Sequence, residues 1–410
     1  MAKPESSRAP VALVLIAGVV GAFHVGKLPP ALPLVREELG LGLVTAGWLV
    51  SLMQLAGAAL ALAGGAIADR VGQRRTMVAG LLLLALGGLA GAFAQGAAAL
   101  LAARVVESCG LLMTVLPGPA LLARMVPPAR LRFTMGLWGA YMPAGMAAIM
   151  LFCAVALERI GWRVLWIGCA VLAALLALLV ARGVRLPTQA AAAAVAARPV
   201  GRAATVRLAR DVLTSPGPWL LAGCFGFYAA QWMSLFSFLP TLYREEGIGL
   251  STAAVLTAGG VAVNAGGNVA AGWLLQRGAT RGALIAIAAS TMLVCGWVAL
   301  GSGAPLPVRF AAVVAFSAVG GLIPGTLFAT IPAFAPHPGA VSTTAGLVQQ
   351  GSSIGQLGAP PLLAAVAASA GGWHLGWMVT GALACCDLLL AIAIARRDRL
   401  GRARSNHTGA

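Results

Sequence analysis

Charge is scarce in this chain. Asp and Glu together number 11 in 410 residues, and charged residues of both signs make up 10%, against roughly a quarter in an ordinary soluble domain. So few charges cannot clothe a globular surface in water. Paired cysteine is missing too. The seven Cys are an odd number, no CxxC occurs, and five lie singly in apolar stretches while Cys385 and Cys386 are adjacent. This gives no disulfide framework and no metal site, and leaves the thiols as small hydrophobes. HExxH and the Walker glycine loop are absent, so neither an enzyme nor an ATP-driven pump is expected. No cofactor and no metal are expected either.

What the chain has instead is apolar length. Hydrophobic residues make up 60% and the mean hydropathy is +0.91. About twenty residues of helix cross a bilayer core, and runs of that size recur at 10–32, 43–67, 76–95, 97–124, 133–156, 163–184, 217–240, 251–275, 283–302, 307–332, 342–368 and 375–395. The expected fold is therefore an all-α membrane protein with twelve transmembrane helices. The first run follows Lys3 and Arg8 like a signal peptide, but it is long enough to span and shows no clear cleavage site. It is read as a retained helix.

A net charge of +17 would suggest nucleic acid on a soluble chain. Here the basic residues follow the membrane. With both termini inside, Arg36, Arg159, Arg163, Arg244 and Arg309 fall in outer loops, Lys27 and Arg104 fall inside spans, and the rest of the 28 Lys and Arg fall on the inner side. That asymmetry fixes the orientation, and no nucleic acid partner is expected. Residues 185–216 are rich in Ala and Arg, broken by proline and too basic to span. They read as a cytoplasmic linker between an N-terminal half, 1–184, and a C-terminal half, 217–410, with room for a short amphipathic helix on anionic lipid.

The halves repeat each other. "GGAIADRVGQRR" at 64–75 is answered by "GWLLQRGATR" at 272–281, so that Gly65, Arg70 and Arg74 fall on Gly272, Arg277 and Arg281, each offset by 207. Asp69 is answered only by Gln276. "ALP" at 31–33 matches "FLP" at 238–240, each followed by Arg-Glu-Glu, and "LPGPALLA" at 116–123 matches "IPGTLFAT" at 323–330. "GWRVLW" at 161–166 matches "GWHLGW" at 372–377. Parallel six-helix repeats are a transporter architecture with the substrate near the midplane.

Over essentially its whole length the chain resembles the major facilitator superfamily. The loop motif at 64–75, with Gly65, the Asp69-Arg70 pair, Gly72 and Arg74, resembles that family's loop between spans two and three. "RVVESCG" at 104–110 is similar to its fourth-span pattern. "GLWGAYMPAG" at 136–145 loosely resembles the antiporter pattern, with Pro143 lacking the Gly before it. "LPPALPLVREELGL" and "GQLGAPPLLAAV" look like the cyanate and nitroimidazole transporter group. The resemblance implies the two-half major facilitator fold, and it implies that Asp69 helps latch the halves on the inner side. The arginines need no such role: cations suit a helix C-terminus and anionic headgroups.

Ionisable residues inside spans are functional candidates by default. Away from the span ends these are His24, Lys27, Arg104, Glu107 and Asp387. Lys27 and Arg104 both fall about 9 Å to the outer side of their span centres by helical rise, and His24 and Glu107 share their faces at i−3 and i+3. Arg104, Lys27 and His24 are expected to bind substrate, and Glu107 and Asp387 to handle a proton. The plainer alternatives are a snorkelling Lys27, a structural Arg104–Glu107 pair and a structural Asp387. Tyr141, Gln231, Asn264 and Gln349 are further cavity candidates, although amides also serve as interhelical glue. The expected function is secondary active transport of a small organic molecule, by preference a small anion, with proton coupling. Proton-coupled drug efflux is the alternative. A monomeric, multi-pass protein of a bacterial inner membrane is expected, whose partners are substrate, coupling ion and lipid.

Overall fold

Proline and glycine decide where the long apolar runs break. In the computed structural model the described residues are 8–184 and 202–408, and they are almost wholly helical. Within them, the side chains at 8, 63–70, 128–129, 132–133, 136, 202–205, 338 and 399–408 are not described. In a bilayer every backbone N–H and C=O must find a partner inside its own segment, which leaves helix as the form for such runs.

Ten of the described helical segments are long and apolar enough to cross a membrane. One of these, Tyr141–Gly183, contains two arms that meet at Gly161, where φ is +74°. The left-handed conformation there suits glycine, because a Cβ would collide with its own backbone. The thirty-residue helix Pro216–Glu245 stands outside the ten, its apolar run interrupted by Tyr228, Gln231, Ser234 and Ser237. With the arms counted separately and this helix added, the expected twelve transmembrane segments are present.

The first segment shows how sequence sets a break. Helix Arg8–Gly26 ends at Lys27, and Leu28–Leu39 follows with proline in its first turn. Proline lacks an N–H and is tolerated at the start of a helix. The chain nonetheless continues in line, with the Lys27 amide donating to the Phe23 carbonyl at 2.9 Å. Lys27 therefore sits at a discontinuity inside the segment Ala9–Leu39.

The chain divides into two compact units: Met1–Arg207 with Leu239–Ala258, and Leu208–Phe238 with Gly259–Ala410. The expected partition, with 185–216 as a separate linker, differs from this in two respects: the division falls inside that linker, after Arg207, and the end of Pro216–Glu245 and the start of Leu250–Gln276 group with the first unit. Arg36 lies 3.9 Å from Glu245 there. A cleft of about 350 Å³ lined by Pro33, Arg36, Glu37, Leu41, Thr241, Arg244 and Glu245 brings the two Arg-Glu-Glu repeats together.

Within the first unit, Arg8–Gly26 packs along Tyr141–Gly183, and Gln73–Ala92 packs on both Ala97–Val115 and Tyr141–Gly183. Trp162 Nε1 donates to Glu38 Oε2 at 2.5 Å, and Arg163 joins Glu38 to the carbonyls of Ala92 and Ala94. The repeated Arg-Glu-Glu and Gly-Trp motifs thus meet as one tie between three helix ends. Within the second unit, Arg281–Leu300 packs on Gly376–Thr408 and on Leu306–Gly320. Some contacts there are backbone against backbone. A Cβ on Gly355 would lie 2.1 Å from the Gly226 carbonyl oxygen, and one on Gly351 would lie 2.3 Å from that of Ala222. Small residues let helices approach this closely in a membrane.

Candidate functional site

Four ionisable side chains meet in the first unit. Lys27 Nζ lies 2.6 Å from Glu107 Oε1, His24 Nδ1 lies 2.7 Å from the same oxygen, and Arg104 Nη1 lies 2.6 Å from Glu107 Oε2. All four are at most 1% exposed. Arg104 also donates through Nε to the Leu49 carbonyl at 3.0 Å and through Nη1 to the His24 carbonyl at 2.9 Å. Lys27 Nζ sits 4.5 Å from the centre of the Trp166 ring, a geometry for cation–π attraction. The i,i+3 spacings bring each pair onto one helix face, and the break at Lys27 places that pair beside Ala97–Val115.

Lys27 and Arg104 are both cations, while Glu107 is a single carboxylate. With both bases protonated and His24 neutral, the four side chains would sum to one positive charge. A neutral imidazole with its proton on Nδ1 donates to Glu107 and leaves Nε2 as an acceptor. That Nε2 has no hydrogen-bond partner, and neither does Trp166 Nε1.

Two adjacent glycines make the space. A Cβ on Gly87 would meet Glu107 Cγ at 2.7 Å and its amide nitrogen at 2.8 Å, and one on Gly88 would meet His24 Cε1 at 3.2 Å. Sequence reasoning missed Gly87, Gly88 and Trp166. The first two had a signal in the Gly-Gly pair within an apolar span, whereas Trp166 was only part of a repeat.

In the second unit the polar residues form separate groups. Gln231 Nε2 donates to Asp387 Oδ2 at 2.9 Å, with both residues fully buried. Asn264 Nδ2 donates to the Tyr228 hydroxyl and to the Ser317 carbonyl, both at 2.9 Å, and Asn268 caps Asn264. Trp232 Nε1 reaches the Ser317 hydroxyl at 3.2 Å. In the first unit, Tyr141 is half-buried against Trp138, ring centres 5.0 Å apart. Gln349 is exposed. These residues are not brought into the charged cluster.

The loop motif is only partly described. Gly65, Asp69 and Arg70 fall on helix Leu55–Val71, but their side chains lie outside the described residues, and so does any latch through Asp69. Gly72 has φ +97°, a turn that glycine makes without strain. Arg74 Nη1 donates to the Val184 carbonyl at 3.2 Å, at the C-terminus of Tyr141–Gly183. Its repeat mate Arg281 pairs with Asp398 Oδ1 at 2.6 Å. Each arginine fastens the last helix of its own half.

Broken apolar helices in two repeated sets of six, with an ion cluster buried in one set, define a polytopic α-helical protein of transporter architecture. This chain belongs to the Major Facilitator Superfamily, whose family description matches residues 14–360. Among solved structures it is similar to a bacterial homologue of the human lysosomal transporter Spinster in an inward-facing and occupied conformation, with a TM-score of 0.77, 17% identity and coverage of 97% of this chain and 98% of that one. Among curated relatives, 108 residues are 38% identical to the cephamycin export protein CmcT of Amycolatopsis lactamdurans, covering 26% of this chain and 22% of that protein. Over 110 residues the chain is 32% identical to the arabinose-proton symporter of Escherichia coli (strain K12), covering 27% of this chain and 23% of the relative. The chain spans under a quarter of the length of these two relatives. Neither is a cyanate or nitroimidazole transporter, and that narrower likeness gains no support from them.

Proposed function

We propose that this chain is a secondary active transporter that moves a small organic molecule by alternating access, and that the cluster of Arg104, Lys27, His24 and Glu107 is its anion-binding, proton-linked centre. The observation that carries the reading is that two basic side chains share a single carboxylate in a fully buried cluster. An unbalanced charge away from water is costly and is retained where it has work to do. A guanidinium holds a carboxylate by two parallel hydrogen bonds, so a substrate anion can take the place of Glu107, and the released carboxylate can take a proton. Tyr141, Gln231, Asn264 and Gln349 remain proposed cavity residues, and Asp69 a proposed inner latch.

The test is uptake of radiolabelled weak acids by proteoliposomes under an imposed pH gradient. Arg104→Lys is expected to weaken anion binding severely and Lys27→Gln moderately. Glu107→Gln should keep binding in its folded fraction while flattening the pH dependence. A folded Arg104→Ala protein that binds its anion normally would end the proposal.

Proton-coupled drug efflux is a second reading, favoured by the similarity to a cephamycin export protein. Uptake of no weak acid, together with proton-driven extrusion of uncharged or cationic drugs, would select it. We also place the protein in a bacterial inner membrane as a monomer, with both termini and the linker 185–216 cytoplasmic, on the basic-residue asymmetry. Labelling of a cysteine at Gln189 by an impermeant thiol reagent on intact cells would refute that orientation.

A further inference from the structure

Asp387 lies midway along the span Trp373–Asp398 and is fully buried. No Lys, Arg or His among the described residues forms an ion pair with it. Its neighbours come from helix Pro216–Glu245: the Gln231 amide donates to Oδ2 at 2.9 Å, the Cys224 thiol lies against it, and Tyr228 stands nearby. Arg281–Leu300, Val341–Ala370 and the turn Trp373–Leu375 pack on Gly376–Thr408, the helix that carries Asp387, and the turn brings His374, thirteen residues before Asp387 at the start of the span. The one Lys, Arg or His on the two long helices, Arg281, is bound to Asp398, eleven residues beyond Asp387.

Two buried oxygens in this group have no partner, and they are Asp387 Oδ1 and Gln231 Oε1. Both are acceptors as long as the acid is ionised. An isolated carboxylate in such a place has desolvation against it and no cation to offset it. One proton resolves both defects. Placed on Oδ1, it turns that oxygen into a donor whose natural acceptor is Gln231 Oε1, while Gln231 Nε2 already donates to Oδ2.

We propose that Asp387 and Gln231 together bind a proton, with the acid and the amide closing a two-bond ring. The proton comes from water and returns to it when the site is opened. The second unit thus holds a carboxyl that takes its proton without a neighbouring cation, where the first holds one engaged by Lys27 and Arg104 until an anion displaces it. Its use as the coupling site rests on the transporter reading above, but the bound proton does not.

Infrared spectroscopy of the protein in liposomes, cycled between acid and alkaline buffer, tests the proton directly and needs no substrate. A protonated carboxyl gives a carbonyl stretch clear of the amide band that shifts in D2O. The expected result is such a band at neutral pH in the unaltered protein, lost in Asp387→Asn and kept in Glu107→Gln. In Gln231→Leu the band should move to higher frequency, because the bond to Oδ2 is gone. This arm decides the matter even where Asp387→Asn fails to fold. Absence of the band at neutral pH, its survival in Asp387→Asn, or an unmoved band in Gln231→Leu would each overturn the proposal.

Discussion

The two units carry the same architecture and opposite electrostatics. In the first, one carboxylate is met by a lysine, an arginine and a histidine within 2.7 Å. In the second, one carboxyl meets an amide and a thiol and no base among the described residues. Repetition therefore conserves how helices break and turn, and leaves the buried chemistry of each copy free to diverge. A charge that is compensated by neighbours is rigid. One that lacks them must change its protonation instead.

The largest effect expected from breaking this contrast is at Glu107. Glu107→Gln strands two buried cations and is expected to lower stability by about 3–5 kcal/mol, read as the thermal unfolding midpoint in detergent. Added formate should restore part of the loss if an anion can occupy the vacated position. Next comes Gly87→Ala, which forces a methyl against the Glu107 backbone and side chain. Overpacking of this kind costs about 1–3 kcal/mol, and the same melting experiment should show it. A smaller pair of effects separates the two tethers. Arg74→Ala removes a bond to a neutral carbonyl, worth about 1 kcal/mol, and its cost should not vary with salt. Arg281→Ala removes a partly exposed ion pair, worth under about 1 kcal/mol and screened at high ionic strength. Melting curves at low and high salt distinguish them. The smallest change is expected at Asp387→Asn, a few tenths of a kcal/mol, since an amide can replace a neutral acid in a hydrogen-bonded pair. A loss as large as that of Glu107→Gln would erase the contrast between the units.

Much of this was legible in the sequence because membrane helices announce themselves by length. That Lys27 and Arg104 lie within spans followed from residue counting, and their i±3 neighbours from helical periodicity. The turn at 161–166 was visible as a repeat, though its merging of two spans across Gly161 was not. Partners across the fold were harder to see. A helix apolar on every side has no amphipathic face from which to read its neighbour, so Trp166 beneath Lys27 and Glu245 opposite Arg36 had no signal. Nor did the pairing of Gln231 with Asp387, 156 residues apart. Single polar residues in separate spans mark cost, but not which of them share it.

The seam at Gly226, Gly351 and Gly355 has a genetic consequence. The atom facing each missing side chain is a peptide carbonyl oxygen, which no substitution elsewhere can shorten. A defect caused by Gly355→Ala should therefore lack intragenic suppressors that trade a large neighbour for a smaller one, and revertants should restore glycine at the same codon. Lesions facing a side chain, such as Gly260→Ala against Phe236, should instead yield second-site revertants at the partner. A suppressor screen of the two alleles would sort this protein's helix contacts by which atom stands opposite, without a further structure.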